Sequence, residues 1–517
     1  MTKPQDQSET PQGIAGVVFA VLGMVFAIAV IRTAWVCDDA YFTMRTVDNF
    51  VHGFGPTWNI DERVQAFTHP LWMFILSIAY FATREAFYTN IFLSASISCV
   101  VFWLAVRAAP SRNLASFAVL SVLVFSKAFM DYSTSGLENP VTHLLLAAFM
   151  LLFLRQDEHD NRKQVALMGL IAGLAALNRM DSLLFYLPAL LYLIVRGRSW
   201  RNAGVLGLGF LPFVAWEIFS IIYYGFPFPN PAYAKLGTGI GQGELFAQGI
   251  QYFLHTLRID PLTLAVIAAG LVLTVLDGEW RERALVIGVT AYLCYVLWIG
   301  GDFMSGRFFS AALLVAVFLL LRQFQNSSNW DGVALMALVA ALLLFSPTKP
   351  LDVFPHGVDL HMASGIEDER AFYFYSSSLV YSTREGPEPH HEWARKGMAI
   401  REAGTRVSVG ATGFLGYFAG PYAHIVDDFG LGDPLLARLP FRASAGWKIG
   451  HFSRHIPPGY VETLESGENS IRSQSMAAYY GLIRQVTRDR IWSLERFKAI
   501  WWLNSGQAQK LISGYRP

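Results

Sequence analysis

The stretch that decides the fold is IAGVVFAVLGMVFAIAVIRTAW, residues 14–35, followed almost at once by Cys37-Asp-Asp39. It meets the roughly 20 apolar residues that an α-helix needs to cross a bilayer. A secretory signal would be shorter and would end on a small-x-small cleavage site. No such site precedes the paired aspartates, so the run is expected to stay as a first span. Further apolar stretches lie near 71–83, 89–107, 113–130, 140–154, 164–178, 183–195, 203–224, 261–276, 284–300, 308–322 and 332–347. The composition agrees: 53% of the 517 residues are hydrophobic and 15% charged, against about 25% charged in soluble domains. Forty Lys and Arg balance 39 Asp and Glu, which argues against a nucleic-acid binder. Three cysteines make no disulfide framework, and no Cys/His spacing suggests a metal site.

Lys and Arg gather near 107–112, 155–163, 196–201, 281–283 and 322, and loops rich in them face the cytoplasm. All fall on one side if 71–83, short for a span, forms a re-entrant or interfacial helix. The reading is a polytopic α-helical membrane protein of about 11 spans plus that helix. Residues 1–348 form the membrane part, with a first extracytoplasmic loop over 36–70. Residues 349–517 have ordinary charge density and no spanning run, and are expected to form a soluble extracytoplasmic α/β domain. In it, Val407-Ser-Val-Gly410 and His424-Ile-Val-Asp427 read as strands joined by a small-residue helix from Ala411. Arg490–Leu503 reads as an amphipathic helix, with Ile491, Leu494 and Trp501 near one face expected to pack into the core rather than lie on the membrane.

This topology collects the unusual polar residues on one face. Adjacent carboxylates at a membrane exit repel each other. Asp38 could cap a helix beginning at Asp39, but capping needs one carboxylate and two are present. A carboxylate held beside a reacting hydroxyl can act as general base. Arg63, Arg179, Lys235 and Arg307 lie in the outer segments and suit a phosphate, the guanidinium planes by bidentate contact and Lys as a point charge. Gly300-Gly-Asp-Phe-Met-Ser-Gly-Arg307 brings Asp302 and permits tight turns. Ser135-Gly-Leu-Glu138 and Asn178-Arg-Met-Asp181 set a carboxylate at two more helix ends. Charges at such edges mark a pathway or site; structural bridges of Arg179 to Asp181 or Glu138, and of Asp302 to Arg307, are the competing reading. Asp427 and Asp428 end a strand, where ligand loops sit in α/β folds and where turns also form.

Asp38-Asp-Ala40, Arg45, Gly53-x-Gly-Pro-x-Trp-Asn59, Glu62-Arg-Val64 and Thr68-x-Pro-Leu-Trp72 together resemble the mycobacterial terminal β-(1→2)-arabinofuranosyltransferase family of polytopic GT-C glycosyltransferases. Similarity extends from about residue 36 to about 460 through Ser135–Glu138, Arg179-x-Asp181, Gly300–Met304 with Arg307, and Val426–Arg438. The resemblance implies a GT-C-like fold in a bacterial inner membrane, with the active site and C-terminal domain outside. It implies a polyprenyl-phosphate sugar donor, held among membrane lipid, and an extracytoplasmic glycan or surface protein as acceptor. Asp38 and Asp39 become the catalytic candidates. Arg63, His69, Glu138, Arg179, Asp181, Lys235, Asp302 and Arg307 become candidates for donor phosphate and sugar, and Asp427 and Asp428 for the acceptor. No cofactor is required where Arg and Lys hold the phosphate, although a divalent cation would be compatible. His69 departs from the small residue expected there, which leaves sugar and acceptor open. A transporter or flippase of a lipid-linked sugar would use the same rim without chemistry.

Overall fold

The computed structural model describes residues 11–155, 162–197, 200–352, 365–382, 388–410, 412–441 and 447–515. Helices dominate the membrane part, and burial separates two kinds of them. Phe309–Gln323 is encased, every residue from Phe309 to Leu321 being buried among the Pro261–Asp277, Asn139–Arg155 and Leu114–Phe125 helices. Asn329–Phe345, equally apolar, buries only Gly332 and leaves Leu344 and Phe345 exposed. An apolar helix is stable with such a face outward only where lipid is the solvent.

By length and composition, Ala15–Arg32 and Phe87–Ala108 can cross a membrane. Two bent pairs, Arg201–Gly209 with Leu211–Tyr223 at 50° and Gln242–Ile259 with Pro261–Asp277 at 109°, raise the number among the described residues to at most four, if each pair is one span. Pro70–Thr83 and Leu114–Phe125 are among the shorter apolar helices. The run 203–224 is therefore broken near Phe210 rather than continuous. Pro212 stands in the first turn of the second half and cannot continue an upstream hydrogen-bond ladder. At the break a Cβ on Gly209 would fall 2.2 Å from the carbonyl carbon of Gly169, so two helix backbones cross where only glycine fits. The sharper bend has a cap at its corner: Asp260 accepts from the Thr263 and Ala128 amides at 3.3 and 3.0 Å.

The C-terminal residues form two parallel strands, β1 (Val407–Val409) and β2 (His424–Val426), with Val407 beside His424. The Gly413–Phe418 helix lies between them in sequence, as the strand–helix–strand pattern anticipates; Ala411 lies outside the described residues. The outer edge of β2 is completed by the first loop. Asn59 Oδ1 accepts from the Ile425 amide at 3.0 Å and its Nδ2 donates to the Ile425 carbonyl at 3.2 Å, which satisfies backbone groups that would otherwise be stranded. Phe42, Trp58 and Ala66 pack with Leu415, Ala419 and Ile425. Buried Arg45 donates to the carbonyls of Trp58 and Ala423, both at 2.7 Å, and to that of Gly416. The strand–helix–strand segment thus shares a core with the first loop, while a separate cluster from Val426 to Ile512 packs the later helices together.

The last helix reverses an expectation. Leu494–Asn504 buries Arg496, Ala499 and Ile500 and leaves Leu494 and Trp501 exposed. Arg496 donates to the carbonyls of Val486 and Ile222 at 2.8 Å and of Tyr223 at 2.9 Å. Free carbonyls at helix ends attract a cation, so the face that carries Arg496 with Ala499 and Ile500 went in and the face of Leu494 and Trp501 came out.

Candidate active site

The first span delivers the chain to a fixed exit. The Trp35 indole donates to the Asp131 carbonyl at 2.8 Å and the Cys37 amide to Ser135 at 2.9 Å. The Asp38–Val51 helix begins there with both acids in its first turn, where the helix dipole favours negative charge. Neighbouring residues on a helix point about 100° apart, and the two carboxylates enter different surroundings.

Asp38 does not cap its own helix; the N-cap is Cys37, without a side-chain bond. Instead its two oxygens accept from the amides of Gly413 at 2.7 Å and Phe414 at 2.8 Å, capping the helix between the C-terminal strands. Burial raises its carboxyl to about 7 against the pull of those donors. A Cβ on Gly413 would lie 2.1 Å from the Asp38 carbonyl oxygen, so the approach demands glycine. Asp39, partly exposed, has no hydrogen bond or ion pair among the described residues. Burial raises its carboxyl, opposed by Lys235 and Arg307 and aided by Asp302 and Glu138.

Glu138 organises the floor. It is fully buried, and its Oε1 accepts from Arg179 Nη1 at 2.7 Å and Arg307 Nη2 at 2.9 Å. Its Oε2 lies 3.3 Å from His69 Nδ1. Burial alone would raise Glu138; Arg307, His69 and Arg179 instead hold it well below the usual carboxylate range. Arg179 also grips Asp181 with Nε and Nη2 at 2.9 and 2.5 Å. Arg307 Nη1 reaches Asp302 at 3.4 Å, while its Nε is buried without a partner. His69 Nε2 lies 2.7 Å from Thr43 Oγ1, and burial pushes the ring down to about 4, so it is neutral near pH 7. Both bridges anticipated as structural readings are thus present, joined through Glu138 into one network.

The Gly300–Arg307 loop closes one side. Gly301 has a φ of +72°, and a Cβ there would fall 2.5 Å from the Tyr252 Cβ, so the turn needs glycine twice over. Residues before the Glu369–Ser377 helix rest on this loop: Ser305 donates to the Glu367 carbonyl at 3.0 Å and Glu367 to that of Phe303 at 2.8 Å. Lys235 stands exposed at the end of the Asn230–Leu236 helix, 6.0 Å from the centre of the Phe303 ring.

Other candidates fall elsewhere. Arg63 donates to the carbonyls of Val486, at 3.3 Å, and Asp489, away from Glu138. Asp427 spends both oxygens on the turn that follows, accepting from Phe429 and Gly432 at 3.0 and 2.7 Å. Asp428 meets Ser453 at 3.4 Å. Two residues escaped the sequence reading. Lys448 pairs with Glu367 at 2.7 Å and lies 5.6 Å from the centre of the Phe303 ring. Buried Glu369 has its carboxyl pushed well up by burial, then by Asp39 and Glu367. Neither sits in a recognisable motif; only the fold brings Glu369 near Asp39 and Lys448 near Glu369. Among the described residues no group of three or more His, Cys, Asp or Glu could hold a metal ion.

A second ionic knot ties the first loop to the C-terminal residues. His424 Nδ1 meets Asp61 at 2.9 Å, and Arg488 reaches Asp61 at 3.0 Å and Glu62 at 3.4 Å. Burial alone would lower His424, but Glu62 and Asp61 outweigh it and the ring stays above its ordinary 6.5. Asp61 is drawn down to about 2, burial being outweighed by His424 and Arg488. A raised histidine stabilises fully below the unfolded value and is lost as pH rises through the folded one. The melting temperature is therefore expected to fall as pH rises above about 6.5, and His424→Gln to flatten that slope. An unchanged slope in the variant, followed by thermal scans in detergent, would assign the pH dependence elsewhere.

Residues 69–222 match the model of the dolichyl-phosphate-mannose-protein mannosyltransferase family. The terminal β-(1→2)-arabinofuranosyltransferase of Mycobacterium tuberculosis is 28% identical over 399 residues, covering 66% of this chain and 62% of that one. Its namesake in Corynebacterium glutamicum is 25% identical over 327 residues, covering 56% of this chain and 47% of that one. The chain thus spans less than two thirds of the length of either relative. The oligosaccharyltransferase of Archaeoglobus fulgidus superposes with a TM-score of 0.50 at 13% identity, over 80% of this chain and 62% of that one. The chain shares the fold of that oligosaccharyltransferase, and it is a membrane protein.

Proposed function

We propose that this chain is a membrane glycosyltransferase that moves a sugar, arabinofuranose in the first instance, from a polyprenyl-phosphate donor to a glycan or surface protein outside the inner membrane. Similarity to two arabinofuranosyltransferases and to a mannosyltransferase model supports the class. One observation carries the site: Asp39 is partnerless among the described residues, while Asp181, Asp302 and Glu138 are each bound by an arginine. Asp39 takes the acceptor hydroxyl proton as that oxygen bonds to the anomeric carbon. The anomeric carbon–oxygen bond to phosphate breaks, its electron pair leaving with the phosphate. Lys235, exposed, and Arg307, whose Nε is unfilled, receive the leaving charge, which preorganised cations stabilise best in the transition state. Arg179, His69, Glu138, Asp181 and Asp302 position Arg307 rather than touch the reacting atoms. Asp38 fixes the C-terminal cover over the site, where the acceptor enters.

The test is direct. Purified protein in nanodiscs is incubated with polyprenyl-phosphate arabinofuranose and a panel of arabinan and peptide acceptors. Release of polyprenyl phosphate with a matching mass gain on one acceptor is expected. Folded protein that releases none with any acceptor would sink the assignment.

A further inference from the structure

The Leu494–Asn504 helix carries its apolar stripe outward. Leu494, Phe497 and Trp501 share one face at i, i+3 and i+7, with Trp502 and the preceding Trp492 beside them. All five are exposed, Trp501 by 67% and Trp492 by 76%. Lys498 is exposed among them. Five large apolar side chains on so short a segment are not the scattered singles normal to a soluble surface.

The opposite face sits on the end of an apolar helix. Arg496 holds the Ile222 and Tyr223 carbonyls, and Asn504 Nδ2 holds that of Gly225 at 2.8 Å. A Cβ on Gly225 would lie 2.2 Å from Val486 and 3.2 Å from Ile500, so the approach is close. The Leu211–Tyr223 helix beneath is half of a bent pair apolar enough to span a membrane, and its Leu211, Val214, Ile218 and Ile221 are exposed. The lipid-facing surface of that span therefore ends where the terminal helix begins.

We propose that Leu494–Asn504 lies in the headgroup boundary of the bilayer, in the plane of the membrane surface at which Leu211–Tyr223 ends. Trp492, Trp501 and Trp502 sit at the depth that suits indole rings, apolar in body and polar at the N–H. Leu494 and Phe497 enter the acyl boundary and Lys498 extends its ammonium to lipid phosphates. The preceding Gln474–Arg488 helix ends on the arginine that holds Asp61 and Glu62, so this contact with lipid sets the height of the first loop above the membrane. Continuity with a spanning helix and three tryptophans favour lipid over a protein occupant.

The experiment places a bimane label at Trp501→Cys or Trp502→Cys, with Glu468→Cys as the aqueous control, in a Cys99→Ser, Cys294→Ser background. The full chain is reconstituted in nanodiscs of phosphatidylcholine and phosphatidylglycerol, with and without doxyl-labelled lipid. An interfacial helix gives about threefold more doxyl quenching at 501 and 502 than at 468, with aqueous iodide ranking them in reverse. Iodide quenching equal at all three positions, without lipid quenching, overturns the proposal. So does protection from both quenchers with a doubled particle mass, which would mean a second copy covers the face.

Discussion

Asp39→Asn abolishes sugar transfer and leaves the melting temperature where it was. The substitution keeps the shape of a side chain that makes no bond among the described residues, so the fold loses nothing. It removes the proton acceptor, and general-base catalysis contributes about 10²- to 10⁴-fold, so turnover falls by about that factor. Asp38→Asn behaves in the opposite way. Only one of its two side-chain atoms still accepts, so either the Gly413 or the Phe414 amide faces an NH₂ donor. An unsatisfied buried donor costs about 1–3 kcal/mol, read as a lower melting temperature with activity reduced in proportion to folded protein. Rates and thermal scans on both variants decide the assignment. Wild-type turnover in Asp39→Asn, or full stability with no turnover in Asp38→Asn, would exchange the two roles.

The second large effect is on stability. Glu138→Ala removes the shared partner of Arg179 and Arg307 from a fully buried position. Breaking a buried ion pair from one side costs about 3–5 kcal/mol, because the remaining cations stay desolvated. The variant is expected to give little folded protein. Glu138→Gln retains one acceptor oxygen and is expected to fold with a reduced melting temperature. Because Glu138 orients Arg307, its turnover per folded molecule should also fall. Equal melting of wild type and Glu138→Ala in detergent would show that the network is not what holds these segments together.

The aspartate pair was legible in the sequence; the division of labour between its members was not. That division depends on amides 375 and 376 residues away in the chain. Bridges among Glu138, Arg179, Asp181, Asp302 and Arg307 were readable as pairs, since each acid or base stands at a helix end. Their union through one carboxylate needed the fold. Arg63 shows the limit of grouping by side: it lies in the same loop as the aspartates, yet it closes the end of the Gln474–Arg488 helix. Lys448 and Glu369 left no motif to read, because Glu369 reaches Asp39 through a segment resting on the Gly300–Arg307 loop and Lys448 joins by pairing with Glu367 of that segment.

The sequence by itself determined that this is a membrane protein and that acids stand against arginines at the ends of its apolar helices. Apolar runs and helix-end charges are local properties, and local properties survive unfolding. Only the tertiary structure decided which apolar helix is encased and which meets lipid, because Phe309–Gln323 and Asn329–Phe345 read alike until their neighbours are placed. It also decided which face of the last helix turns inward. There the face of Arg496, Ala499 and Ile500 went in rather than that of Leu494 and Trp501, since open carbonyls at the end of another helix hold the Arg496 guanidinium.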